Sequence, residues 1–573
     1  MHRSSLWPIR FQCRSDDTQD DEDEGSRRML IAHQFATALA AQGILRVYGL
    51  PGEDHMALLD AFEEAGIEYC ASFNESSAVI MAATEAHLTG RPGVVMLSLS
   101  AGISNGYNGL MNSHLEQAPV ILVSGQHRSD ELPFVVRQGF DLEQMVAPCT
   151  KWRARATVAM DIPGLVAKAI EQALTGTPGP VYIELPDNVA TTDADVDEAR
   201  LREVSRLVDS RFGAAHSTMD PTPDTVQAIR DRLAAAQRPV LVIGGRRTRV
   251  SPDVVATFAE AFRVPVMTSS RQKGLLDSTN DYYAGTFLNG RLERDLLDRS
   301  DLVLMVDPEA FDFYNKPWCF DADAVALIDN RFTDWSHPYV DRFVVCANRT
   351  LARLVETASQ SSTKSEWTAD DVKAYRVGLR SALLDVGNGF SVSHAVDGAL
   401  SAWPTDGYLV ADAGFTKPIV AMLSEPAAPN HYFASHALST MGYAIPAALA
   451  IKHSGHSPVL AFMGDGSFLM RATETMVNFG GNGPLVYVVV IDRSLGQIEV
   501  KQRRRKLARV GISLPEVSCE RFATAFGIRG VDVRSRSEMV AAVKDGMNSN
   551  TPTLIGAHID PGPTRELYEL LRG

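Results

Sequence analysis

The sequence contains 573 residues, several times the length of a typical single-core domain, so two or three separately packed cores are expected. Hydrophobic residues at 45% and charged residues at 22% exclude a disordered or fibrous chain, and a formal net charge of -15 disfavours nucleic acid and anionic membranes as partners. The six cysteines, Cys13, Cys70, Cys149, Cys319, Cys346 and Cys519, form no CxxC pair that would suggest a zinc site or disulfide framework, and no apolar run reaches bilayer length. These features point to small-molecule chemistry in a reducing, cytoplasmic setting.

Residues 1–28 are polar, carry the acidic run Asp20 to Glu24 and lack the apolar core of a secretory signal, so they read as a disordered tail; Met29 is a second candidate start. A first block over residues 29–190 holds the strand-like runs Leu45–Gly49, Gly93–Ser98, Val120–Ser124 and Pro180–Leu185. Asp193 to Pro223 reads as a linker, ending in the turn-prone Asp220-Pro221-Thr222-Pro223. A second block, residues 220–358, carries Pro239–Gly244, Val264–Thr268, Asp301–Val306, Ala324–Ile328 and Arg342–Val345, and closes at the Ser/Thr/Gln stretch Ser359–Lys364. The third, residues 372–565, contains Tyr408–Ala411, Val459–Met463, Leu485–Ile491 and Thr553–Ala557. Apolar runs alternating with longer helix-like stretches predict an α/β chain of three open parallel-sheet domains with helices on both faces.

The most informative stretch is Gly464-Asp465-Gly466-Ser467, set where an apolar run gives way to a helix. Strand ends are where open α/β sheets bind ligands. The two glycines admit a close ligand, and Ser467 and the helix start can donate to phosphate. Asp465 beside a phosphate requires a hard cation between them, which implies magnesium. A second strand-end group, Asp492-Arg493-Ser494-Leu495-Gly496, can bring further oxygen ligands to the same ion. Taken alone, Gly-Asp-Gly fits an ordinary turn as well.

Three further segments complete a pattern: Tyr48-Gly49-Leu50-Pro51-Gly52-Glu53, Phe73-Asn74-Glu75-Ser76-Ser77-Ala78, and Ser439-Thr440-Met441-Gly442-Tyr443-Ala444-Ile445-Pro446-Ala447-Ala448. With the strand-end pair and in this order, they resemble the thiamine-diphosphate enzymes of the acetolactate synthase and pyruvate decarboxylase superfamily, over roughly residues 30 to 565. The resemblance implies a pyrimidine-binding, a central and a diphosphate-binding domain. It makes Asp465, Asp492 and the Ser494 carbonyl magnesium ligands, and places Gly464, Gly466 and Ser467 around the diphosphate. Pro51, Gly52, Gly414 and Thr416 become further cofactor contacts. Met441 becomes the wedge that folds the two cofactor rings together, with the Ser439 carbonyl accepting from the amino group. Glu75 becomes the acid that shares a proton with a pyrimidine nitrogen, although a Glu opening a helix also complements the helix dipole. Active sites between subunits, in a homodimer or homotetramer, are implied as well.

The sequence departs from the family pattern in ways that bear on the reaction. Asp492 stands where Asn is usual, Asn74 replaces a common His, and Ser100-Ala101-Gly102 replaces a Gly-Pro-Gly loop. Asp307-Pro308-Glu309-Ala310-Phe311 and Tyr282-Tyr283-Ala284-Gly285-Thr286 match the flavin segments of acetolactate synthases poorly, so FAD is not expected. Gln138 resembles a carboligase glutamine, whereas Glu53 has the character of a decarboxylase acid. Gln497 and Lys501 replace apolar and aromatic pocket residues, and Lys501 is a candidate for holding an anionic substituent of the substrate. Arg503 to Arg505 fit a solvated basic face. The expected activity is decarboxylation of a 2-oxo acid with carboligation, with simple decarboxylation or carbon-carbon lysis as the alternative and a noncatalytic cofactor-binding homologue behind both.

Overall fold

The computed structural model describes residues 28–195, 219–245, 250–313, 320–328, 341–358, 365–387, 389–477, 480 and 483–572. Of the tail expected over residues 1–28, residues 1–27 lie outside the described residues and Arg28 begins a strand; the closing Ser359–Lys364 stretch and most of the 193–223 linker also lie outside them.

A short strand β1 (Arg28–Leu30) precedes β2 (Arg46–Gly49), β3 (Glu68–Ala71), β4 (Gly93–Leu97), β5 (Val120–Gln126), β6 (Trp152–Arg155), β7 (Val181–Pro186) and β8 (Asp193–Asp195). Six of these make one parallel sheet in the order β3-β2-β4-β5-β7-β6, while β1 and β8 pair antiparallel. The start of the expected linker is therefore a strand: the polar Asp193–Asp195 segment is held by backbone pairing with Arg28–Leu30, which hydrophobic patterning does not register. Its other end also has structure, since Thr222 caps a helix with Pro223 at its first turn, where the missing N–H costs nothing.

The second sheet joins β9 (Pro239–Ile243), β10 (Val266–Ser269), β11 (Tyr283–Phe287), β12 (Leu302–Val306), β13 (Asp323–Ile328) and β14 (Asp341–Val344) in the order β11-β10-β9-β12-β13-β14. The third contains β15 (Tyr408–Ala411), β16 (Tyr432–Ala434), β17 (Val459–Gly464), β18 (Leu485–Ile491), β19 (Arg529–Val533) and β20 (Thr553–His558), ordered β16-β15-β17-β18-β20-β19. Every pairing within these three sheets is parallel, so three open parallel sheets with helices are present as expected. The strands the apolar runs missed, β3, β6, β11, β16 and β19, are all at sheet edges. Edge strands need only one apolar side, and Glu-Tyr-Cys-Ala, Trp-Arg-Ala-Arg and Arg-Gly-Val-Asp-Val carry charges that a central strand would exclude.

One apolar core spans the first and third sheets, and the Glu75–Thr89 helix lies at its centre. Residues Ser76 to Ala86 of that helix are buried on all sides, packed against the Leu99–Leu115 and Ala444–His453 helices. Its small residues, Ser76, Ser77, Ala78, Ala82 and Ala83, allow this close approach on several faces. Asn74 caps its first turn by accepting from the Ser77 N–H at 3.3 Å, and Gly90 ends it at φ +71°. The start of this helix is thereby fixed in a dense core.

Candidate active site

Strands β15, β17 and β18 are neighbours, so the segments leaving their C-terminal ends converge. Gly464 ends β17 and is the N-cap of the Asp465–Arg471 helix; Asp492 follows β18. The two groups line one cavity, together with Gly414, Thr416, Ser439, Met441, Gly466 and Ser467. Ser494 and Gln497 complete the predicted members on its wall. A Cβ at Gly464 would meet nothing, whereas one at Gly466 would come within 3.0 Å of Leu495 and 3.3 Å of Met441, so the second glycine is fixed by the packing of the cavity wall.

Asp465 is buried and accepts from the Gly466 N–H at 2.9 Å and the Arg493 N–H at 2.8 Å, while Asp492 accepts from the Ser494 N–H at 3.0 Å. Burial raises the proton affinity of both. Asp492 is pushed up to about 7, first by burial and then by the charge of Asp465. Two carboxylates that each disfavour the other's charge form a site that a hard divalent cation would relieve, and the donor set of carboxylates with a nearby backbone carbonyl fits magnesium. The glycine-lined strand ends and the Ser467 hydroxyl fit a diphosphate beside it.

Met441 lies in a turn ahead of the Ala444–His453 helix, with Ser439 at φ +54° and Gly442 at φ +82°. A left-handed serine is held there only by its surroundings. Two residues missed in the sequence supply that restraint. Buried Asp412 follows β15 and accepts from the Gly442 N–H at 3.0 Å and the Ala444 N–H at 2.8 Å, clamping the turn from below; burial pushes its carboxyl up to about 6. Lys417, also buried, donates to the Ser435 carbonyl at 2.8 Å and the Ser439 hydroxyl at 3.2 Å, and lines the same cavity. Aspartate at the end of an apolar strand and lysine within the apolar Thr416–Leu423 helix were the signals available. Asp412→Ala leaves two buried N–H groups without their acceptor, which costs about 1–3 kcal/mol each where no water replaces it. The expected result is a lower melting temperature together with weaker thiamine-diphosphate binding, measured by thermal shift with and without the cofactor.

The first-block candidates form a separate group. Glu75 opens its buried helix, and its Oε2 accepts from the Asn105 side chain, which is itself placed by the Ser76 hydroxyl donating to the Asn105 carbonyl at 2.6 Å. Gly52 sits against Ser98, where a Cβ would clash at 2.3 Å with the hydroxyl, and Pro51 precedes it on the exposed rim. The acidic pair that follows divides its roles: Glu53 is exposed, whereas Asp54 accepts from the Ser98 hydroxyl and from the Leu99 N–H at 3.3 Å. Gln138 has φ +57°, its carbonyl accepts from Ser100 at 3.2 Å, and its Oε1 is buried without a hydrogen-bond partner among the described residues. None of Pro51, Gly52, Glu53, Glu75 or Gln138 lines the third-block cavity within a single chain.

Lys501 also stays outside that cavity, exposed on the Gly496–Arg504 helix. The basic run is exposed as the sequence suggests, and Arg503 and Arg509 both pair with Glu499, at 2.5 and 2.9 Å.

Comparison with known proteins places these elements in a common pattern. Residues 29–145 match the N-terminal TPP binding domain of thiamine pyrophosphate enzymes, residues 226–354 the central domain and residues 412–557 the C-terminal TPP binding domain. The chain is similar to the acetolactate synthase of Bacillus subtilis, 24% identical over 558 residues that cover 92% of this chain and 93% of the synthase. It is also similar to the probable 2-ketoarginine decarboxylase AruI of Pseudomonas aeruginosa, 26% identical over 529 residues, 90% of this chain and 92% of the decarboxylase. In fold it resembles the thiamine diphosphate-dependent 4-hydroxybenzoylformate decarboxylase of Rhodococcus jostii, with a TM-score of 0.76 and 20% identity over 93% of this chain and all (100%) of that one.

Proposed function

This chain belongs to the thiamine pyrophosphate enzyme family, and on that basis we propose that it decarboxylates a 2-oxo acid and joins the remaining acyl carbon to an acceptor carbonyl, in the manner of an acetolactate synthase. The observation that carries this reading is the convergence of Asp465 and Asp492 with Gly464, Gly466 and Ser467 on one cavity at adjacent strand ends. Asp465, Asp492 and the Ser494 carbonyl would hold magnesium there, against the diphosphate. Bound thiamine diphosphate supplies the carbon nucleophile and the electron sink for loss of carbon dioxide.

The protein's own groups do the rest. Glu75 holds a proton at its carboxyl and exchanges it with the pyrimidine ring, from a helix start whose position the core fixes. Met441 and the Ser439 carbonyl, both on the cavity wall, would hold the cofactor and orient its rings. Gln138, with an unused buried carbonyl oxygen, orients the acceptor, which favours ligation. Gln497, on the cavity wall, meets the substrate. A second reading, release of an aldehyde without ligation, is favoured by the exposed Glu53, an acid free to protonate the product carbon.

FAD is not required in this account. At the ends of β9 and β12 the Gly245 and Glu309 N–H groups both serve the Asp312 carboxylate, at 3.0 and 2.9 Å. Assembly as a homodimer or homotetramer is supported by the apolar residues that one chain leaves in water beside Gln138: Phe134 at 84%, Val136 at 92% and Phe140 at 65% exposure. No described helix is long and apolar enough to cross a membrane. The free thiols of Cys70, Cys149, Cys346 and Cys519 fit a reducing compartment, and a cytoplasmic location is proposed on that ground. The domain division proposed is 29–190, 220–358 and 372–565.

The test is product analysis with a panel of 2-oxo acids, each alone and with an aldehyde or a second oxo acid. Ligated 2-hydroxy ketones are expected. Aldehyde as the sole product in every mixture would replace ligation with the second reading, and no consumption of any donor by cofactor-loaded protein would overturn both.

A further inference from the structure

We infer that Glu68, Cys70 and His453 form a binding site for a zinc-class divalent metal ion, placed at the seam between the first and third sheets and distinct from the magnesium carboxylates. Glu68 and Cys70 lie on the same edge strand, β3, and His453 is the last residue of the Ala444–His453 helix. The Cys70 sulfur is 3.2 Å from His453 Nε2, and the same nitrogen is 3.0 Å from Glu68 Oε2. One ring nitrogen thus faces a thiol and a carboxylate together, and it carries either a single proton or a single lone pair. Hydrogen bonding can satisfy one of these contacts fully, whereas an ion among the three atoms satisfies all of them.

The donor chemistry is selective. A thiolate, an imidazole and one carboxylate suit zinc or a similar first-row ion, whereas magnesium prefers an all-oxygen shell. Tetrahedral coordination at usual zinc bond lengths needs ligand separations of about 3.3–3.6 Å; the two separations from His453 Nε2 are a few tenths of an ångström short of that, and all three ligand atoms lie within 4.8 Å of one another. Three protein ligands leave a fourth position, and Glu68, whose side chain is half-exposed, gives a path to solvent for a site otherwise closed by buried Cys70 and His453. A cation also complements the negative end of the helix that His453 terminates. Among the described residues an opposing charge comes from Arg46, whose Nε lies 3.5 Å from the same Glu68 oxygen and which turns its other end to Glu85 at 2.8 Å, so an ion takes over the Glu68 contact while Arg46 keeps Glu85. Among the described residues a second cluster of comparable geometry, His33, Asp60 and Glu64, has no sulfur and two exposed carboxylates, and carries no such inference. Bridging residues nearly four hundred positions apart, the ion would staple the pyrimidine-binding and diphosphate-binding parts of one chain together.

The experiment uses full-length protein stripped with a chelator, then saturated with thiamine diphosphate and magnesium so that the carboxylate site is filled. Zinc is titrated in competition with a colorimetric indicator. The expected result is one tight equivalent per chain, with affinity reduced at least about tenfold in Cys70→Ser, His453→Gln and Glu68→Gln. Cobalt loading gives an independent readout, a thiolate-to-cobalt absorption present in the wild type and lost in Cys70→Ser. Glu68→Gln alters a half-exposed side chain and keeps the test decisive if a seam variant fails to fold. No tight equivalent in the wild type, or equal affinity in wild type and Glu68→Gln with no thiolate absorption from cobalt, overturns the site.

Discussion

Glu75→Gln is expected to lower turnover by roughly a hundredfold or more while thiamine-diphosphate affinity stays close to that of the wild type. The substitution retains the size of the side chain and its contact with Asn105, and the helix start remains capped by Asn74. What it removes is the ionisable proton that the proposed role of Glu75 requires. The defect should therefore appear in cofactor activation, read as slower hydrogen-deuterium exchange at the thiazolium carbon of the bound cofactor, and not in melting temperature. Wild-type exchange and turnover in a folded, cofactor-loaded Glu75→Gln protein would remove Glu75 from the mechanism.

Asp465→Ala should act on binding. Removing one of two carboxylates leaves magnesium underligated and the diphosphate charge poorly neutralised, a loss on the order of 3 kcal/mol or about a hundredfold in cofactor affinity. The cofactor-free protein gives a separate diagnostic. Loss of the Asp465 charge removes only the lesser of the two causes that raise the Asp492 carboxyl, burial being the first, and the Gly466 and Arg493 N–H groups lose their acceptor. Its melting temperature should then fall modestly, while the further stabilisation by thiamine diphosphate with magnesium disappears. Full stabilisation at the same concentrations would show that the metal is held elsewhere.

Much of this architecture is legible in the sequence because buried parallel strands write themselves as unbroken apolar runs. Leu485–Ile491 is buried throughout and was readable as a strand; Glu68–Ala71 and Arg529–Val533, at sheet edges, retain charges and were not. The strand-end motifs were equally visible, since Gly-Asp-Gly after an apolar run has few other uses when a second such end follows. Asp412 and Lys417 were hidden for the opposite reason. Each is a polar residue at the margin of an apolar element, and only the fold shows that one clamps the Met441 turn and the other reaches Ser439. Lys501 shows the limit of spacing along a helix: it lies one turn from Gln497, yet Gln497 lines the cavity and Lys501 faces water. The Cys70 and His453 pair has no local spacing at all, because packing of a strand edge against a distant helix end creates it.

On the proposed function, one active site takes its Glu75 from one chain and its Asp465 from another; among the described residues, Glu75 does not line the cavity that holds Asp465. Coexpressing Glu75→Gln and Asp465→Ala chains with different affinity tags, and isolating the doubly tagged dimer, tests it directly. One of its two sites would combine an intact Glu75 with an intact Asp465, so the mixed dimer should recover about half of wild-type turnover, although each variant alone is nearly inactive. A mixed dimer no more active than either parent would contradict the account and place both residues of each site on the same chain.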